Sequence, residues 1–278
     1  MFDLLLIFQK LLVRTVIFGI NYIKNFIFDN GTESSASNRL KKAVREAKEE
    51  CSRHKLLPLT ISVIIPCYNE ADSIERCLSM LLTNESIQEV IVSDGGSKDN
   101  SLSLLKSLSC LNSKLKIITS GNSRSSCLNA AAEFATGDIL LFLHADTYFS
   151  SPSFPSLILS TLQQPEVIVG AFQFQLEPHT SWKLSLIEYV TNLRSSMLQL
   201  PYGDQALFVY KSVFTALGSF PNQIFMEDFD FVLRARSLGR IKIAPLPVIT
   251  SARRWSKVHG ELLNTLRNQV YTVQSIGN

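Results

Sequence analysis

From Leu59 onward, short and almost wholly apolar runs alternate with longer stretches of helical periodicity, and this constrains the fold more than any other feature. The apolar runs are Ile61–Pro66, Glu89–Ser93, Leu115–Thr119, Ile139–Leu143, Val167–Leu176, Ala206–Tyr210 and Arg240–Ala244. Helical patterns occupy 71–82, 98–108, 124–136, 182–198, 211–217 and 227–238. A strand reads as a continuous apolar run when both of its faces are covered, and strand–helix–strand order with short turns builds a parallel sheet. The expectation is one α/β domain over 59–257, with a mostly parallel (mixed), Rossmann-like sheet and helices on both faces.

The ends of the chain are different. Residues 1–28 hold 19 apolar residues but are interrupted by Lys10, Arg14 and Lys24. Cations in the middle of a membrane span cost roughly 2.5–3.5 kcal/mol each. Projected on a helix, the polar residues gather on one side, the pattern of an interfacial helix lying in the headgroup region. A tilted or signal-anchor span and a helix docked on the protein's own core are the other readings. Residues 29–58 are polar and then densely charged with both signs, a charged linker or stalk. Residues 258–278 read as a C-terminal amphipathic helix. Of the net charge of +3, residues 1–58 carry +4 and the remainder −1. The basic excess therefore faces anionic lipid rather than nucleic acid, which places the protein at the cytoplasmic face of a membrane. The 5 cysteines show no metal-ligand or disulfide spacing, so reduced thiols are expected.

Ligands of open parallel sheets bind beyond the carboxyl ends of the strands, so polar residues there carry the chemistry. The first strand runs into Pro66-Cys67-Tyr68-Asn69-Glu70, which is neither a dinucleotide fingerprint nor a P-loop. The second ends in Asp94-Gly95-Gly96-Ser97, where Asp94 is either a turn residue or an acceptor for a base or sugar. The fourth ends in His144-Ala145-Asp146; on extended backbone, residues i and i+2 point the same way, so the two could converge on one cation. A carboxylate with an imidazole suits Mn²⁺ better than Mg²⁺. Glu227, Asp228 and Asp230 crowd a helix start, as capping acids or as a site that raises one carboxyl toward a general base. Arg253-Arg254-Trp255 offers cations for a diphosphate and an indole for a sugar face.

The order PxxNE, DGGSxD, an acidic strand end, ED and RRW resembles the family 2 glycosyltransferases of the GT-A fold over about 59–260. The variant with DGGS, LHADT, GDQ and SxRRW is similar to the small bacterial transferases encoded beside radical-SAM proteins. This resemblance implies that Pro66, Tyr68, Glu70, Asp94, Arg124 and Arg254 bind the donor nucleotide, Asp94 at the uracil ring. It implies a divalent metal, Mn²⁺ or Mg²⁺, at Asp146, with His144 in place of the family's first aspartate. It further implies Asp228 as catalytic base beside Glu227, and Asp204, Gln205 and Trp255 on the substrate side. Ser251 stands where the family carries glutamine, and no multi-span region accompanies the domain, which suggests single addition. The expected activity is inverting transfer of a sugar, UDP-linked by preference, to a hydroxyl or phosphate acceptor near the membrane. The rivals are a membrane-tethered nucleotide-sugar binding protein and a sugar nucleotidyltransferase.

Overall fold

The computed structural model describes residues 35–53, 59–121, 123–223 and 226–253. The expectations for 1–28 and 258–278, and for Arg254 and Trp255, lie outside them. Leu40–Ser251 form one compact unit, distinct from a second made of Met1–Arg39 with Ala252–Asn278.

The elements run α1 Ser35–Arg53, β1 Ile61–Cys67, α2 Ile74–Thr83, β2 Ile87–Asp94, α3 Ser101–Leu111, β3 Leu115–Thr119, α4 Arg124–Phe134, β4 Ile139–Phe142 and β5 Thr147–Phe149. They continue with α5 Phe154–Leu162, β6 Val167–Leu176, α6 Trp182–Leu198, a single 3₁₀ turn Gly203–Gln205, β7 Phe208–Tyr210, α7 Lys211–Ala216, α8 Glu227–Arg236 and β8 Arg240–Thr250. The strands form one sheet in the order β3-β2-β1-β4-β7-β6-β8-β5. β3, β2, β1 and β4 are parallel to one another, β7 runs antiparallel between β4 and β6, and β8 is parallel to β6. The sheet is therefore mixed, its parallel half being the part that begins the chain's α/β alternation.

Burial explains why the central strands are apolar throughout. Val63, Ile64 and Ile65 of β1 and Val90, Ile91 and Val92 of β2 are all inaccessible, because helices cover both faces of the sheet. A cluster of Phe142, Phe214, Phe220 and Phe231, with ring centroids 4.8–5.2 Å apart, joins β4, α7 and the start of α8. Such tilted and edge-on contacts give an aromatic core geometric definition as well as buried area. This cluster lies directly beneath the site.

Four elements add to or differ from the expectation. β5 and α5 fill a stretch with no expected element, because β5 has only three residues and its partner β8 is distant in sequence. β8 continues to Thr250 rather than ending at Ala244, passing Pro245 and Pro247. The ladder with β6 jumps from Phe172↔Ala244 to Gln173↔Pro247, so a bulge absorbs the interruption. The charged stretch, expected as a linker, stalk or solvated helix, holds the helix α1, which is not wholly solvated. Val44 is buried, and Lys48 Nζ donates to the carbonyls of Gln164 (2.9 Å) and Val167 (2.7 Å). Among the described residues no helix is long and apolar enough to cross a membrane.

Candidate active site

The carboxyl ends of β1 and β2 lie side by side, with Cys67 level with Asp94. The loops that follow are latched together by side chains. Asn69, in the left-handed region at φ 54°, accepts from the backbone N–H of Lys98 (2.7 Å), while its own N–H donates to Ser97 Oγ (3.0 Å). Ala71 N–H donates to Asp99 Oδ2 (3.1 Å), and Glu70 N–H donates to Ser101 Oγ (2.8 Å). Asn69, Ser97 and Asp99 stand in the PxxNE and DGGSxD motifs without an expected role of their own; the Asn at the turn after β1 is the signal for the latch.

Asp94 is buried and committed to its own loop. Its Oδ2 accepts from the N–H groups of Gly96 and Ser97, both at 3.0 Å, and Oδ1 accepts from Ser97 Oγ at 2.5 Å. The turn role thus accounts for three contacts of this carboxylate. Tyr68 is exposed and Pro66 and Glu70 are half-buried, so they form the open rim of the same edge. Burial, then the charges of Asp94 and Glu70, push the Cys67 thiol up to about 11. Cys77 is raised as well, by burial and by Asp146. Raised pKa values of this kind disfavour the thiolate form of both groups.

The second part of the site lies beyond β4. The strand ends at Phe142, and His144–Thr147 form a turn in which Thr147 N–H donates to the His144 carbonyl at 3.1 Å. The backbone there is not extended, so strand alternation is not what relates His144 to Asp146. The imidazole lies against Gly203. A Cβ placed on Gly203 would lie 3.2 Å from His144 Nε2 and 2.8 Å from Asp228 Oδ2. Asp146 is buried, with its backbone carbonyl held by Ser251 N–H at 3.0 Å.

α8 delivers the acids. Met226, at φ 61°, turns the chain sharply into the helix, so Glu227 and Asp228 occupy its first turn, where the helix dipole favours negative charge. Left-handed backbone at a non-glycine residue is a strained conformation typical of functional sites. Asp228 Oδ2 accepts from Gly203 N–H at 2.6 Å, and Oδ1 accepts from Phe229 N–H at 2.9 Å. Opposite them stands Arg124, first residue of α4. Ser123 caps that helix reciprocally with Ser126 and so aims the Arg124 side chain. Its Nε donates to Glu227 Oε1, and a terminal nitrogen lies 3.7 Å from Asp228 Oδ2. Arg124, His144, Gly203, Glu227 and Asp228 line one pocket above Phe142, Leu143 and Phe220.

The 3₁₀ turn splits the expected substrate side. Gly203 joins the pocket and Asp204 is half-buried near Arg124, whose charge it helps to hold. Gln205 is a correction. It is fully buried, and its Nε2 donates to the carbonyl of Phe172 and to Ser195 Oγ, both at 3.0 Å. It braces β6 and α6 instead of meeting a substrate. Among the described residues no three His, Cys, Asp or Glu side chains are grouped to hold a metal ion.

A mixed sheet of this order, with acidic groups gathered beyond the carboxyl ends of its parallel strands, sets a pocket where open α/β sheets bind their ligands. The chain matches the Glycosyl transferase family 2 model over residues 62–218 and belongs to that family. Among curated relatives it is 30% identical to the hyaluronan synthase of Pasteurella multocida over 131 residues, 43% of this chain. The chain spans only 14% of that relative's length. S. aureus TarS 1–349 in complex with UDP-GlcNAc superposes with TM-score 0.55 at 19% identity, covering 70% of this chain and 59% of that one. A mannosyltransferase from Pyrobaculum calidifontis, solved with GDP-Man and Mn²⁺, gives TM-score 0.56 at 19% identity, covering 77% and 66%. At such identities the two structures speak to the fold alone.

Proposed function

We propose that the chain is an inverting, single-addition glycosyltransferase that moves a sugar from a nucleoside-diphosphate donor to a hydroxyl acceptor near a membrane. The observation that carries this reading is the Asp228 carboxylate, fixed by the N–H groups of Gly203 and Phe229 while lining the pocket. A carboxylate held in one orientation is fit to take the proton of an attacking hydroxyl. The acceptor oxygen bonds to the anomeric carbon, the bond from that carbon to the β-phosphate oxygen breaks, and the nucleoside diphosphate departs with its electron pair. A phosphate acceptor would need no base, and Asp228 would then be dispensable.

Pro66, Tyr68, Glu70 and Asp94 form the donor side of this reading, with Arg254. A UDP-sugar is preferred because the resemblance sets Asp94 at the uracil ring; the TarS complex with UDP-GlcNAc is in keeping with it. Asp146 and His144 would hold a divalent cation. One carboxylate and one imidazole are too few for an all-protein cage, and they suit an ion whose other ligands are diphosphate oxygens. Such an ion, when bound, offsets the charge growing on the leaving group. Residues 1–28 would lie on the cytoplasmic face of the membrane or anchor there.

Nucleotide release measured across a panel of UDP- and GDP-sugars with Mn²⁺ tests the activity. Asp228→Asn is expected to lower turnover at least about 100-fold while UDP still binds by calorimetry. Asp146→Asn should lose turnover and its dependence on added Mn²⁺ together. Full turnover in Asp228→Asn would overturn the base assignment.

A further inference from the structure

Glu227 and Asp228 are adjacent in sequence but differ sharply in setting. Glu227 is fully buried; its Oε1 accepts from Arg124 Nε, and its Oε2 is buried with no hydrogen-bond partner. A carboxylate in such a place is tolerated because a cation sits against it. Asp228 has hydrogen bonds of its own from two backbone N–H groups, and stands 3.7 Å from the terminal nitrogen of the same guanidinium. Arg124 therefore straddles both acids, joining the start of α4 to the start of α8. Burial would lower its pKa, but Asp228 and Glu227 outweigh burial and raise it, so the group stays charged.

We infer that Glu227 and Arg124 are positioning residues: buried Glu227 fixes the planar guanidinium, and the guanidinium fixes Asp228 in the orientation that faces the pocket. A rigid fork held on one side by a buried anion directs its remaining N–H groups in a set plane, which a flexible ammonium does not. This differs from the resemblance in one respect: Arg124 is occupied with the acids rather than with the base or diphosphate of the donor. The inference rests on the reading of Asp228 as base.

Steady-state kinetics of the full chain separate these roles, using the donor that turns over in the nucleotide-release panel, together with calorimetry of UDP alone. Arg124→Gln is expected to lower kcat about 10–100-fold and to leave donor KM and UDP affinity within about twofold, the signature of an interaction that matters only in the reacting complex. Arg124→Lys should recover part of kcat. The Arg124→Gln/Glu227→Gln double variant should be no slower than Arg124→Gln, because Glu227 acts through Arg124. The double variant buries no unpaired charge, so it is the one to read if Arg124→Gln fails to fold. A raised KM and weakened UDP binding with kcat preserved would make Arg124 a donor ligand and overturn the inference, as would fully additive losses in the double variant. If Asp228→Asn itself turns over normally, the base reading fails and this inference with it. An inactive Asp228→Asn beside an undiminished kcat in Arg124→Gln defeats the positioning role alone.

Discussion

Gly203 shows how much of this site depends on a residue without a side chain. Its N–H holds the Asp228 carboxylate at 2.6 Å, and any Cβ there would press on Asp228 Oδ2 and His144 Nε2. Both of these are ends of side chains, so the fold can accommodate a methyl group by moving them. Gly203→Ala is therefore expected to keep the thermal midpoint within a few degrees while kcat falls about 100-fold, the scale on which small misplacements of reacting groups are felt. A melting curve alongside nucleotide release checks both, and an unchanged kcat would show that Asp228 is not held through Gly203. At this scale the types of the reactive residues were legible: Asp228, His144 and Asp204 lie at or beside the pocket because residues that follow the carboxyl ends of parallel strands gather where such sheets bind ligands. Their partners were not legible. Gln205 looked like its neighbour Asp204, yet a 3₁₀ turn sends one toward the site and the other into the core. Strand alternation is not what relates His144 to Asp146, since one hydrogen bond from Thr147 replaces extended backbone with a turn.

Among the elements, β7 links the parallel half of the sheet to β6, at a seam formed by the single pair Gly170↔Phe208. A Cβ on Gly170 would lie 2.1 Å from the Phe208 ring, which is itself fully buried and packed at 5.1 Å against Phe172. The ring has nowhere to go. Gly170→Ala is expected to destabilise the fold by about 1–3 kcal/mol, the usual cost of overpacking a core, and a urea midpoint lowered with an unchanged slope would register it. No loss of stability would mean the seam can open. The long apolar strands were legible because burial on both faces leaves an unbroken apolar run. β5 and the second half of β8 were not, since three residues carry little periodicity and two prolines argue against a strand unless a bulge absorbs them.

Over the whole molecule, chemistry and stability occupy opposite edges of the parallel strands. At the amino-terminal edge, Glu89 is only 1% exposed and ties four segments together. Its Oε1 accepts from Ser62 Oγ (2.6 Å) and from Thr136 N–H (2.6 Å) and Oγ1 (2.8 Å), while Oε2 pairs with Lys116 Nζ at 2.5 Å. Burial alone would raise this carboxyl, but Lys116, Ser62 and Thr136 outweigh burial and hold it at about 2 against an ordinary 4.5. Because the folded value is the lower one, the stabilisation is complete above about pH 4.5 and is lost as pH falls through that range toward 2. A shift of that size corresponds to something on the order of 3 kcal/mol. Urea unfolding between pH 7 and 3 should show it, and Glu89→Gln should be less stable at pH 7 with a flatter profile. An equally steep acid loss in that variant would assign the effect to other carboxylates. By itself the sequence determined the α/β class, the family and the edge where chemistry belongs, because burial and strand-end geometry leave periodic, local marks in a chain. Only the tertiary structure decided which of those polar residues meet: that Arg124 faces Glu227 and Asp228 across a gap of about a hundred residues, that Asp94 serves its own loop, and that Gln205 turns inward. Pairings of that kind depend on the register of distant strands and the direction of single turns, and neither is encoded in the spacing of nearby residues.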